Sequence, residues 1–263
     1  MEIYINFVAL SALFFLGGLS GWVIELFFRR IFTQKRWVNP GFLSGPMLPL
    51  YGFGLTGFYI FANFIPFYTL GWERWQIELL IVLVAGVAMT LIEYIAGLIF
   101  IKGLKTALWD YSDRLGNIQG IICPLFSFFW LLIGSVYVFL ANPLFVTIYD
   151  FACDNAMVFG FVDGLLYGVL FVDFGWSIGL LARIRKAVKD SKLIVYWENI
   201  KVSFQDHYKK MEGKHHWIFA FRTKREEWNA LMNEYILALK NKNALRIEEK
   251  KNKAKLKKEK KKD

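Results

Sequence analysis

Five apolar stretches, each long enough to cross a bilayer, constrain this chain more than any other feature of its sequence. A helix needs about 20 consecutive apolar residues to cross the hydrocarbon core. The stretches lie at residues 3–28, 46–67, 77–101, 118–141 and 156–182. None of them contains Lys, Arg or His, and 56% of all residues are hydrophobic, more than is usual in soluble domains. The sequence therefore predicts an all-α, polytopic transmembrane bundle of about five spans over residues 1–182.

Charge divides the chain at Arg183. Residues 1–182 carry 8 Lys/Arg and 11 Asp/Glu, whereas residues 183–263 carry 24 and 11. Apolar residues from Trp228 onwards recur at the spacing of one helical face, which predicts an amphipathic helix near residues 225–240. The lysine-rich end, residues 250–263, lacks aromatic residues and is predicted to be disordered. We expect a basic, partly helical and partly disordered tail that contacts anionic lipid, and nucleic acid binding is the weaker alternative.

The short loops predict the orientation, because basic loops stay on the cytosolic side. One side has a single basic residue, Arg74, and the other side has seven. These seven are Arg29, Arg30, Lys35, Arg36, Lys102, Lys105 and Arg114. We therefore expect the N-terminus outside the cell, the tail in the cytosol, and a bacterial plasma membrane as the location.

Acidic residues inside the spans are the first candidates for a binding site, since ionisable groups are costly in lipid. Glu25 lies about 6 Å along its helix from the basic loop that begins at Arg29, which is within reach. Glu93 and Asp173 lie nearer the midplane, where the spans offer no basic partner. Two interpretations stay open: structural acids that are protonated or hydrogen-bonded, or acids that bind a cation or a cationic substrate. The donors expected to assist them are Tyr51, Tyr94 and Thr90.

Two segments on the cytosolic side are candidates for a second kind of site. Residues 36–54 are rich in Gly and Pro. Such a segment can dip into the bundle and present N–H groups to an anion, or it can be a tight turn between two helices. The basic residues that would assist an anion are Arg29, Arg30 and Arg36. Residues 109–117 contain Asp110, Asp113 and Arg114, for which local pairing with the arginines of the first segment is expected and an acidic cation site is the weaker alternative.

The two segments also resemble each other. Asn39 lies seven residues before Pro46, and Asn117 lies seven residues before Pro124. This spacing indicates a parallel repeat of helix pairs, spans one and two with spans three and four, to which span five is added. Two loops that solved the same problem independently are the alternative. Asn39 and Asn117 join the candidate site residues on this basis.

Motifs for enzymatic chemistry are absent from the sequence. It has no GxxxxGK[ST] phosphate loop, no HExxH and no GxSxG, and its three histidines all lie in the tail. We expect Cys123 in a span and Cys153 in an external loop, which disfavours a disulfide. We expect no catalytic residues, no metal and no cofactor.

Four features of the sequence belong together: GWVIE (21–25), NPGFLSGPMLPLYGFG (39–54), Glu93 and WDYSDRLGNIQGIICP (109–124). In these features the chain resembles the family of ABC-transporter permeases labelled type IV, and the resemblance covers roughly residues 12–180. The chain departs from the family pattern at Pro40, Leu108 and Ile121, where Arg, Trp and Arg are usual, which weakens an anion-binding role.

The resemblance implies a membrane subunit of a transport system that works with a separate ATPase. The competing function is a non-transporting scaffold or signalling protein whose tail binds lipid or a cytosolic partner. A homo-oligomer is left open.

Overall fold

The computed structural model describes residues 1–33, 35–188, 194–212 and 230–241. Within these residues, five helical stretches are long and apolar enough to cross a membrane. They are Glu2–Phe32, Pro49–Leu70, Arg74–Gly103, Pro124–Asp154 and Ala156–Lys186. The predicted all-α, five-span fold class is confirmed. The predicted disordered extension, residues 250–263, and Trp228 lie outside the described residues.

The helices follow one another with few interruptions. The membrane bundle consists of α1 (Glu2–Phe28), α2 (Pro49–Asn63), α3 (Arg74–Leu98), α4 (Pro124–Val136), α5 (Asn142–Asp154) and α6 (Ala156–Val188). Single π-helical turns, Arg29–Thr33, Ile99–Gly103 and Tyr137–Ala141, extend α1 and α3 and join α4 to α5, and a 3₁₀ turn, Phe67–Leu70, follows α2. The tail contributes α7 (Trp197–Glu212) and α8 (residues 230–241). Two short strands, β1 (Thr106–Ala107) and β2 (Val195–Tyr196), pair in parallel.

Local chemistry explains where several of these helices begin. Pro49 and Pro124 open α2 and α4, at positions where a missing N–H costs no intrahelical bond. Glu73 and Gln76 form a reciprocal capping box at the start of α3, in which each side chain accepts from the other residue's backbone N–H.

The fourth span differs from its predicted bounds of 118–141. The helix begins at Pro124, because residues 118–123 form a turn closed by a bridge between Ile118 and Ile122. The helical stretch then continues to Asp154, since the proline after Asn142 occupies the first turn of α5 and breaks no bond. Cys153 consequently lies in a helix rather than in a loop, and it and Cys123 are both free.

Small residues allow the first two helices to pack closely. A Cβ atom on Gly21 would lie 2.2 Å from Cγ of Tyr51, and one on Gly17 would lie 2.8 Å from the backbone oxygen of Tyr51. Gly86 of α3 plays the same part against Leu131 of α4, where a Cβ would lie 2.4 Å from a methyl group. Each helix pair is therefore held by contacts that larger residues would prevent.

The loops after α1 and α3 and the end of α6 lie together at one end of the bundle, which we call the basic end. The Phe42 ring packs 4.9 Å from the ring of Phe100 and 5.7 Å from that of Phe174, between ring centroids. We call residues 35–48 loop 1 and residues 104–123 loop 2. At the opposite end, the Tyr149 hydroxyl donates to Asn6.

A hydrophobic core lies at the basic end and joins the tail to the bundle. It buries residues of α6, β2, α7 and α8, and residues of both loops pack against it. Its buried members are Leu180, Leu181, Ile184, Val195, Trp197, Ile200, Phe204, Met232 and Ile236. The apolar stripe of α8 therefore packs against protein.

Candidate functional site

Glu93 is buried among hydrogen-bond donors. It lies on α3 and is only 4% exposed. One carboxylate oxygen accepts the Trp130 indole N–H at 2.9 Å, and the other accepts the Tyr111 hydroxyl at 3.0 Å. The indole belongs to α4 and the phenol to loop 2, so this one carboxylate ties three parts of the second helix pair together.

The donors differ from those that the sequence suggested. Tyr51 donates to Glu25 instead, Tyr94 accepts a hydrogen bond from Gln119, and Thr90 donates to the backbone of its own helix. Trp130 carried a signal that was missed: an indole in the body of a span needs an acceptor at its own depth.

Glu25 is the acid of the first helix pair. Its carboxylate accepts the Tyr51 hydroxyl at 3.1 Å and pairs with Arg29, one turn further along α1, at 3.4 Å. Arg29 also forms an ion pair with Glu198 of α7. The expected pairing of Glu25 with the basic loop is therefore present, and it extends to the tail.

The two carboxylate clusters meet at aromatic rings. The ring of Tyr51, which donates to Glu25, lies 5.9 Å from the ring of Trp130, which donates to Glu93. A polar cluster thus crosses from the first helix pair to the second inside the basic end.

Asp173 of α6 is held by the backbone of loop 1. The N–H groups of Ser44 and Gly45 donate to its two oxygens at 3.0 and 2.9 Å, and the Ser177 hydroxyl donates at 3.3 Å. Loop 1 therefore does present N–H groups to an anion, and the anion is this carboxylate of the same chain.

Loop 1 is shaped by a positive φ angle and by Asn39. Gly41 has φ = +71°, in the left-handed region that suits glycine. The Asn39 amide donates to the carbonyls of Leu43 and Ser44 and accepts the Trp22 indole N–H at 2.6 Å. Asn39 thus closes the loop on itself and fixes it to α1.

Lys201 of α7 holds the opposite side of the loop. Its ammonium donates to the carbonyls of Asn39 and Gly41, both at 2.8 Å, and lies 5.7 Å from the centre of the Trp197 ring. The side chain is 2% exposed. Burial, with repulsion from Arg29, lowers the pKa of this ammonium to about 7.

Asn117 and Asp110 shape loop 2. The Asn117 amide donates to the carbonyls of Ser112 and Arg114 and accepts the N–H of Gly120. Asp110 accepts the N–H and the hydroxyl of Ser112. Burial alone would raise the pKa of Asp110, but hydrogen bonds from Ser112 and Tyr196 outweigh it, and the pKa is lowered.

The remaining basic residues lie at the surface of loop 1. Arg30 donates to the carbonyl of Lys35 and stacks 5.8 Å above the ring of Trp37. Arg36 forms an ion pair with Asp206 of α7 at 2.8 Å. The three candidate arginines therefore contact protein groups and not one shared centre.

Metal binding finds no support in the part of the chain that the structure describes. No group of three or more His, Cys, Asp and Glu side chains there is placed to hold an ion.

A separate acid, Asp163 of α6, is 4% exposed, and its Oδ2 atom has no hydrogen-bond partner among the described residues.

These features define a membrane-spanning helical bundle whose buried acids hold loops and helices together at one end. The chain belongs to the family described as "Putative ABC-transporter type IV", which matches residues 12–178. This match confirms the resemblance seen in the motifs. No curated protein and no solved structure matches the chain. The matched region ends within α6, so β2, α7 and α8 lie beyond it.

Proposed function

We propose that this protein is the membrane subunit of an ABC-type transport system, with the basic end in the cytosol of a bacterial-type cell. The observation that carries the proposal is the family match over residues 12–178, which runs from α1 into α6. The sequence has no phosphate-binding loop, so ATP hydrolysis falls to a separate protein. The basic loops orient the bundle, since they favour the cytosolic side.

The polar cluster of Glu25 and Glu93 would couple the movements of the two helix pairs. Its Tyr51–Trp130 contact joins α2 to α4, and each acid is tied to its own pair. A change in the relative position of the pairs at this end has to break or reshape these contacts.

Purification of the full-length protein from its native membrane tests the proposal. A protein with a phosphate-binding loop is expected to co-purify, and the complex in proteoliposomes is expected to hydrolyse ATP and move solute. Glu93→Gln is expected to lower that flux, whereas Glu2→Gln, at an exposed position, is the matched control. Absence of an ATPase partner together with unchanged function in Glu93→Gln would overturn the proposal.

The contacts between the tail and both loops favour the second candidate, a scaffold or signalling protein. That function predicts the opposite result. Deletion of residues 194–263 would abolish function, and Glu93→Gln would leave it intact.

A further inference from the structure

A short segment of the tail, residues 194–206, contacts both loops of the basic end. Its strand β2 adds to β1 of loop 2, in parallel register, with Thr106 opposite Val195. The Val195 N–H also donates to the carbonyl of Lys105 at 3.1 Å. Backbone pairing of this kind is how an extended peptide adds to a strand edge.

The helix that follows contacts loop 1 and the end of α1. Four of its residues make polar contacts. Glu198 pairs with Arg29, Lys201 donates to two loop carbonyls, and Gln205 donates to the carbonyl of Trp37 at 2.9 Å. Asp206 pairs with Arg36 at 2.8 Å. Glu198, Lys201 and Gln205 are spaced three and four residues apart, which puts these side chains on one face of α7. That face contacts residues 37–41 of loop 1 and Arg29 at the end of α1.

Apolar contacts lie beneath the polar ones. Trp197, Ile200 and Phe204 are buried on α7, and they pack in the same core as residues of α6. Phe42 of loop 1 and Leu108 of loop 2 both pack against this core. The segment is therefore held as a folded element between the two loops.

Removal of this segment would leave three kinds of group without their present partners. These are the edge of β1, the carbonyls of Asn39 and Gly41, and the guanidinium of Arg29. Together they select an extended strand followed by a helix that carries an acid and a lysine. This is the chemistry of a peptide-binding surface.

We propose that loops 1 and 2 form one peptide-binding surface, that residues 194–206 of the same chain are its resident ligand, and that this ligand is a detachable clamp across the two helix pairs. Loop 1 joins α1 to α2, and loop 2 joins α3 to α4, so a segment bound to both restrains their relative motion at the basic end. The segment lies outside the family match, which makes the clamp an addition to the family's fold.

Cleavage of the full-length protein tests whether the segment binds as a ligand. A site for a specific protease is inserted within residues 189–193, between α6 and β2, and the purified protein is cleaved in detergent. We expect the fragment 194–263 to stay with the membrane body through size exclusion. Lys201→Met leaves two buried carbonyls without a donor and is expected to speed release about tenfold or more. Ser203→Ala, at an exposed position on the same helix, is expected to change nothing.

Equal release from the Lys201→Met and Ser203→Ala proteins, or immediate loss of the fragment from the parent, would overturn the proposal. Two uncleaved preparations that carry different tags are mixed before the protease is added. Recovery of the tail fragment of one preparation on the membrane body of the other would show that the tail binds a second copy. That result would contradict binding within one chain.

The pH dependence of release is a second readout. The groups that act on Lys201 are Arg29 of the α1 extension, Glu198 of α7 and Asp173 of α6. Because the pKa of Lys201 is about 7 when bound and near 10.5 when free, the bound tail carries fewer protons between these values. Release is therefore expected to slow as the pH rises from 7 to 9.5, by at most about tenfold per pH unit, and to lose this dependence in Lys201→Met.

The restraint on the helix pairs is measured separately and without any ATPase. A negative result in this measurement therefore contradicts the clamp and leaves the transport proposal untouched. Spin labels are attached at Pro46→Cys in loop 1 and Leu115→Cys in loop 2, both exposed positions, after Cys123 and Cys153 are replaced by Ala. We expect a single narrow distance distribution that broadens once the cleaved tail of the Lys201→Met protein has dissociated and been removed. An unchanged distribution would show that the segment binds without clamping.

Discussion

The hydrogen bond from Trp130 to Glu93 gives the most direct quantitative prediction for the bundle. Trp130→Phe removes an indole donor that lies 2.9 Å from the carboxylate and leaves Tyr111 as the remaining donor. The phenyl ring that replaces the indole keeps most of the packing against Tyr51. The main effect of the substitution is therefore the loss of one hydrogen bond to a buried acid.

The size of the effect follows from the burial of Glu93. A hydrogen bond to a charged group contributes about 1.5–3 kcal/mol, and a buried acceptor left without its partner costs a similar amount. We expect Trp130→Phe to lower the free energy of unfolding by about 2–3 kcal/mol. For a chain of this length that corresponds to a fall in Tm of roughly 4–12 °C.

Glu93→Gln supplies the second arm of a double-mutant cycle. Its amide oxygen can accept from Trp130 while its NH₂ group donates to the Tyr111 hydroxyl, which is able to accept. This substitution alone is expected to cost about 1 kcal/mol. Trp130→Phe should then cost about 1–2 kcal/mol less in the Glu93→Gln background than in the parent, because no carboxylate is left short of a donor.

Thermal unfolding in detergent, followed with a thiol-reactive dye, measures these changes. Cys123 is 2% exposed and reports unfolding when it becomes accessible. Trp75→Phe, at a residue that is 61% exposed, controls for loss of an indole as such. A Tm for Trp130→Phe within about 1 °C of that control, or an equal cost in both backgrounds, would refute the reasoning.

Three further substitutions test other contacts. Gly21→Ala drives a methyl group into the ring of Tyr51 and should cost about 1–3 kcal/mol by thermal unfolding, whereas Gly164→Ala, where nothing lies within 4 Å, should cost nothing. Asp173→Asn deprives one loop 1 N–H of its acceptor, so hydrogen exchange at that amide should accelerate about tenfold or more. Asp163→Asn should raise the Tm or leave it unchanged, since its carboxylate is buried with an unpartnered oxygen, and a fall would reveal an acceptor role.

The helices of the bundle could be predicted because their signal is local. A run of apolar residues identifies each span. Counting along its helix could place Glu93 inside the membrane. The end of the fourth span was harder, because the turn after Tyr137 lets the helix run on through Asn142 and its following proline. Proline in a first turn does not stop a helix, and a loop prediction for that region missed this.

The partners of the buried acids were beyond the reach of sequence patterns. Asp173 is satisfied by backbone N–H groups, which every residue carries and which therefore leave no trace in the sequence. Lys201 was grouped with the basic tail because a lysine is normally solvated. Its burial depends on two carbonyls that lie more than 150 positions earlier in the chain.

The pairing of β1 with β2 has a consequence for the order in which the molecule is assembled. Val195 follows Thr106 by 89 positions, and three helices, including the whole of α6, lie between them. The basic-end core therefore cannot close until α6 has been made and the core residues up to Ile236 have left the ribosome. Until that moment loop 2 keeps an open strand edge.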